Sequence, residues 1–189
     1  PTRRSSDLEG DSPENYIVTG SVHSNGIDIN RQNYLQFTGI DIREHSKNGI
    51  YIYGGNSIVI ENNHILHPGQ YGISAEGAGA LMVRNNEINR ANGGGMWLWS
   101  KDSHITDNKI CNTGIFEEIG LLGTGQPNGG SGAEISGENN KIEYNIIENS
   151  NYNGLFYRGA GTVIQYNLIN NSCLTKDDGG GIYTNTSGS

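Results

Sequence analysis

Short alternations of apolar and polar residues, separated by turn residues, recur along the chain. Gly49-Ile50-Tyr51-Ile52-Tyr53 is followed by Ser57-Ile58-Val59-Ile60 and then by Asn62-Asn63-His64-Ile65. One period later Ile73, Ala75, Leu81, Val83 and Ile88 stand where the first unit has Ile50, Ile52, Ile58, Ile60 and Ile65. Alternation with period two turns every second side chain to one face of a strand, so each unit predicts three short strands sharing a buried face. Aligning on the glycine before the first apolar residue gives Gly26, Gly49, Gly72, Gly95, Gly132, Gly154 and Gly181, with spacings of 23, 23, 23, 37, 22 and 27. The period is therefore near 23, and the interval of 37 holds one period plus an insertion over residues 112–131.

Strands of three to five residues do not survive alone. Stacked at about 4.8 Å, each hydrogen-bonds to its copies in the units before and after it. The pattern predicts an all-β parallel solenoid over residues 25–189, about seven coils of 22–23 residues, with the insertion after the fourth coil's third strand. A second column agrees with this winding: Asn63, Asn86, Asn108, Asn145 and Asn167 each stand two residues before an isoleucine. Asparagine tolerates the left-handed backbone that a sharp bend requires, and stacked amides bond to one another, so an asparagine ladder is expected at that bend.

Composition narrows the picture. The 189 residues include 29 glycines, 25 asparagines and 23 isoleucines, which excludes extensive helix. A net charge of −8 opposes binding to nucleic-acid phosphates and to anionic lipid headgroups. No run reaches about 18 apolar residues, so no membrane insertion is expected. Residues 1–8 resemble a translated sequencing adapter and are set aside as a non-native tail, residues 9–24 read as a lead-in or partial coil, and missing coils are expected at both ends.

On these repeats, the stretch from Asn25 to Thr184 resembles the right-handed parallel β-helix proteins of the pectate-lyase-like superfamily. The phrase Tyr166-Asn-Leu-Ile-Asn-Asn-Ser-Cys-Leu-Thr-Lys-Asp-Asp-Gly-Gly-Gly-Ile-Tyr-Thr184 looks like a segment of secreted bacterial β-helix proteins associated with carbohydrate. The resemblance implies a secreted or cell-surface bacterial protein whose partner is a polysaccharide or oligosaccharide. It does not single out an activity, because the same solenoid carries lyases, hydrolases, epimerases, tailspikes and adhesins.

If the first-strand isoleucines point inward, the residues between them form two outward columns. One is Asp28, Tyr51, Ser74, Trp97, Glu134, Phe156 and Tyr183; the other is Asn30, Tyr53, Glu76, Trp99, Ser136, Arg158 and Asn185. Rings among acids and amides suit sugars, whose C–H faces stack on aromatics while their hydroxyls take hydrogen bonds. Tyr51, Tyr53, Trp97, Trp99 and Tyr183 are expected as stacking platforms, with Glu76 and Arg158 as polar contacts. The alternative is that the insertion covers the strip and the rings pack beneath it. Length variation gathers in the connection after the third strand, at 43–48, 66–70, 112–131 and 170–180, which predicts a wall of loops beside the strip. Glu117 and Glu118 in the insertion read as a solvated acidic pair.

Hydrolysis of a glycosidic bond needs two carboxyl groups, about 5–5.5 Å apart for retention or about 6.5–9.5 Å for inversion. Glu134 with Asp177 or Asp178 is the expected acid and base, since Glu134 lies two coils, on the order of 10 Å, from the coil that the aspartates enter. An Asp-Gly turn is the competing reading of Asp177-Asp178-Gly179. A lyase would instead need a base such as Arg158 or Lys176, and Ca²⁺ enters only in that case; no other cofactor is expected. The Asn-Thr-Asp, Gly-His-Gly and Arg-Ile-Lys signatures of polygalacturonases are absent. His45 and His67 occupy similar loop positions and read as solvated side chains, His23 as unrelated to them, and no metal site is expected. Cys111 and Cys173 come from coils about 10 Å apart, beyond an unstrained disulfide. The sequence thus leaves a glycan-binding and glycan-cleaving groove, a non-catalytic adhesin or tailspike-like solenoid, and a polysaccharide lyase as readings, in that order.

Overall fold

The structure is a computed structural model that describes residues 20–114 and 129–185. Within them the chain winds as a parallel β-solenoid. Coil 2 shows the unit, with strands Asn48–Tyr53, Val59–Glu61 and His64–Leu66. Each strand pairs with its copy one coil on: Ile50 lies opposite Ile73, Ile60 opposite Val83 and Ile65 opposite Ile88. The first sheet has seven strands and the other two have six each, so six coils are complete and a seventh begins.

The interior is the predicted one. Ile50, Ile52, Ile58, Ile60, Ile65 and their five equivalents in coil 3 are each at most 1% exposed. The glycine column has a steric origin. A methyl group on Gly49 would stand 2.4 Å from Ile65 Cγ2 and 2.7 Å from the Gly72 carbonyl oxygen, and on Gly72 it would stand 2.4 Å from Ile88 Cγ2. Each coil's third-strand isoleucine fills the space that a Cβ at the start of its first strand would need. Gly95 with Ile110 and Gly132 with Ile147 repeat this interlock.

The asparagine ladder is present. Asn63 Nδ2 donates to Asn86 Oδ1 at 3.0 Å, and the Asn86–Asn108, Asn108–Asn145 and Asn145–Asn167 rungs are each 2.9 Å. The left-handed backbone falls one residue earlier than expected, on Asn62, Asn85, Asp107, Tyr144 and Tyr166, with φ between 52° and 58°. The bend is thus shared between two residues: the first turns the chain, and the second points its amide inward to cap carbonyls such as Phe37 and Ile60. A second ladder, not expected from the sequence, joins Asn89, Asn112, Asn149 and Asn171 at the next bend, with rungs of 2.9, 3.0 and 3.1 Å.

The insertion leaves and rejoins coil 4 at a buried neck. Thr113 Oγ1 donates to the Gly130 carbonyl at 3.0 Å, and a Cβ on Gly114 would lie 2.6 Å from Gly130 Cα. Gly114 and Gly130 both have positive φ, which lets the two passing backbones touch. Register survives the excursion, and Ser131 resumes opposite Gly94. Glu117 and Glu118 lie outside the described residues, as does the tail at 1–8. Cys111 is buried, Cys173 is half-buried, and both are free. Among the described residues no helix is long and apolar enough to cross a membrane.

Candidate functional site

Side chains that alternate with the core on the first strands point outward and superimpose along the axis. In the first column Asp28 lies opposite Tyr51, Tyr51 opposite Ser74, Ser74 opposite Trp97, Trp97 opposite Glu134, Glu134 opposite Phe156, and Phe156 opposite Tyr183. The second runs from Asn30 through Tyr53, Glu76, Trp99 and Ser136 to Arg158. Trp99 is 59% exposed and Trp97 half-buried, so the two tryptophans are not packed away together.

A groove of about 460 Å³ lies over coils 1 to 4. Asp28, Tyr51, Ser74 and Trp97 of the first column line it, with Glu76 from the second. Lys47 and Gln70, just ahead of first strands, and Asn48 and Tyr71, which open them, form its wall. Glu76 accepts a hydrogen bond from the Tyr51 hydroxyl at 3.2 Å, and Asn25 Nδ2 donates to Asp28 at 2.9 Å. Burial raises the Tyr51 phenol above its ordinary pKa, and the Glu76 and Asp28 carboxylates, which disfavour a phenolate, add to the shift. The Tyr71 ring lies beside Gly94, where a Cβ would come within 3.1 Å of its Cε1, so the glycine leaves room for the ring. Its centroid is 6.3 Å from that of Trp97. Burial, and after it the charge of Glu134, pushes the Tyr71 phenol well up.

The remaining expected residues fall elsewhere on the same face. Tyr53 is 41% exposed, with the Arg31 guanidinium 5.3 Å from its ring centroid. Trp99 borders a separate groove of about 320 Å³ with Gly77, Lys101, Gly137 and Glu138. Phe156 occupies an outward position but is fully buried, because Tyr183 stacks on it at 6.0 Å and Arg158 covers it at 4.6 Å. Arg158 also donates to Asn185 Oδ1 at 2.9 Å. Glu134, half-buried, acts on Tyr71, whereas Asp178 accepts a hydrogen bond from the Tyr152 hydroxyl, and Asp177 is exposed. Lys176 stands 4.7 Å over the Tyr152 ring and donates to the Gly129 carbonyl at 3.1 Å.

Asp28, Tyr71 and Lys47 are among the groove residues that were not singled out from the sequence. Asp28 was visible in the first column but was not counted among the groove acids. Tyr71 immediately precedes an aligned glycine, and Lys47 lies in a connection of variable length, so neither follows from the strand alternation. His23 proves to be related to His45 and His67, since all three line one shallow groove with Arg43 and Glu44. Among the described residues no group of three or more histidines, cysteines or acids is placed to hold a metal ion.

A seven-stranded parallel sheet carrying rings and acids on its outer face, wound once per 22–23 residues, defines the class of protein. The right-handed β-helix region family matches residues 25–189, and the chain belongs to it. The solenoid is therefore right-handed. No curated protein and no solved structure matches the chain.

Proposed function

We propose that this chain is a polysaccharide-binding β-helix domain, with the groove over coils 1 to 4 as its main subsite. One observation carries the reading: the rings of Tyr51, Tyr71 and Trp97 share one open groove with Asp28, Glu76, Asn48 and Gln70. Rings supply stacking faces and the amides and acids supply directional hydrogen bonds, the combination that a sugar chain uses. Trp99 and Tyr53 continue the surface beyond the groove. Secretion, or display at the cell surface, belongs to the same proposal.

Hydrolysis is assigned within this proposal to Glu134 with Asp177 or Asp178. Two placements support it: Glu134 stands one coil beyond Trp97 in the same column, and Asp178 is held at Tyr152 on the neighbouring coil. A non-catalytic solenoid is the second reading, favoured by Phe156, which packs under Tyr183 and Arg158 and presents no free ring. The test is binding and turnover on a glycan panel. Trp97→Ala and Tyr51→Ala each lower affinity about tenfold or more, as truncation of a stacked ring does. Glu134→Gln and a double Asp177→Asn, Asp178→Asn variant keep binding and lose cleavage. Unchanged affinity in both ring variants refutes the groove. Binding without turnover in the wild type selects the non-catalytic solenoid, and products with unsaturated ends select a lyase.

A further inference from the structure

We infer that the groove over coils 1 to 4 is built for a glycan that carries free amines, a deacetylated hexosamine chain, rather than for a polyuronate. The inference rests on the glycan reading above and adds the charge of the ligand. Three rings, Tyr51, Tyr71 and Trp97, face a space that two carboxylates, Asp28 and Glu76, also enter. A cation over the face of a tyrosine or tryptophan is attracted by the ring quadrupole, and a carboxylate beside it adds a charge-assisted hydrogen bond. An ammonium group gains from both, whereas a sugar carboxylate meets like charge at each.

The electrostatics of the rings agree with this. Burial is the main cause of the raised Tyr51 and Tyr71 phenols, and the charges of Glu76 and Asp28 at Tyr51 and of Glu134 at Tyr71 add to it, so carboxylates act on ring hydroxyls of the groove. Lys47 is the cation among the lining residues, and it stands exposed on the wall. Ser74 supplies a separate observation. It lines the groove and is 4% exposed. Its hydroxyl can both donate and accept, and so suits an amine or a hydroxyl of a bound sugar.

The experiment is calorimetric titration of the full chain with oligomers of glucosamine, N-acetylglucosamine and galacturonic acid, at a pH where the amine is protonated. The expected result is binding of the glucosamine oligomer about tenfold tighter than its acetylated counterpart, with the uronate weakest. Because the chain carries a net charge of −8, attraction of any polycation is controlled with a variant of equal charge change away from the groove. Asp28→Asn with Glu76→Gln should abolish the amine preference, lowering affinity for the glucosamine oligomer much more than for the acetylated one. Glu44→Gln with Asp107→Asn, both exposed positions outside the groove, should leave the preference in place. Equal affinity for the amine and acetylated oligomers, tighter binding of the uronate, or equal loss of preference in the two double variants overturns this inference alone. Absence of binding to every oligomer overturns the glycan reading with it.

Discussion

Replacing Asn86 by alanine tests what holds the bend between the second and third strands. Its side chain makes four bonds: Nδ2 donates to the Ile60 carbonyl at 2.9 Å and to Asn108 Oδ1 at 2.9 Å, while Oδ1 accepts from Asn63 N at 3.1 Å and Asn63 Nδ2 at 3.0 Å. The residue is 1% exposed, so water does not readily replace them. Some partners keep another bond: Asn63 Nδ2 still donates to the Phe37 carbonyl, and Asn108 Oδ1 still accepts from Asn86 N. The Ile60 carbonyl and the Asn63 N–H lose their side-chain partner. At about 1–3 kcal/mol for each buried group left unpaired, the substitution should cost about 2–6 kcal/mol. Asn167→Ala is the control, because Asn167 makes three equivalent bonds and gives the fourth to the Gln165 carbonyl instead of a further rung, at a half-buried coil where water can reach them, and about 1–2 kcal/mol is expected there. Urea unfolding of the two variants and the wild type, with slopes compared to confirm that the same surface unfolds, measures both losses. Equal losses, or a loss at Asn86 below about 1 kcal/mol, would show that strand pairing holds the bend and that the amide column is incidental.

Gly72→Ala should destabilise the solenoid by about 1–3 kcal/mol or more, since its Cβ collides with Ile88 and with the Gly95 carbonyl. In Gly77→Ala the new methyl meets nothing within 4 Å, and only the positive φ of 67° resists it, so a smaller loss of about 1 kcal/mol is expected in the same melts. Tyr152 should titrate near pH 12 in a tyrosinate absorbance titration, because burial and then the Asp178 hydrogen bond raise its phenol to about 12. The folded pKa lies above the unfolded one, so the stability this group contributes is complete below about pH 10 and is lost as the pH rises toward 12. Asp178→Asn should lower that titration without restoring the ordinary value, since burial remains; an unchanged curve would place Asp178 away from the hydroxyl.

The winding was legible because each position in the coil performs one steric task. An aligned glycine is where Ile65 or Ile88 needs room, and alternating isoleucines are where a short strand faces the core. Spacing alone therefore fixed Trp97 opposite Ser74 and Glu134. The asparagine column was legible as a ladder but not in its backbone. Several residue types occupy the left-handed position before it, tyrosine at 144 and 166 among them, so no single residue type marks that bend. Groove membership was less visible still. Asp28 and Glu76 stand in different columns two coils apart, and only their side-chain contacts place both at Tyr51.

Alternation gives the direction of a side chain but not what covers it, and on this chain the cover follows the length of the connections. Between Gly26 and Gly95 the aligned glycines recur every 23 residues, the connections stay short, and the first-strand face remains open as the groove. Between Gly154 and Gly181 the interval lengthens to 27. The longer segment brings Asp178 and Lys176 onto Tyr152, and the coil that follows sets Tyr183 over Phe156. The same outward position is thus a groove-lining ring at Tyr51 and a packed one at Phe156. Shortening the connection after Asn170 toward the length found in coils 1 to 3 should raise the exposure of Tyr152. Faster oxidation or iodination of that tyrosine, with Tyr71 unchanged as the internal reference, is the expected readout, and an unaltered rate would mean that neighbouring coils rather than the connection provide the cover.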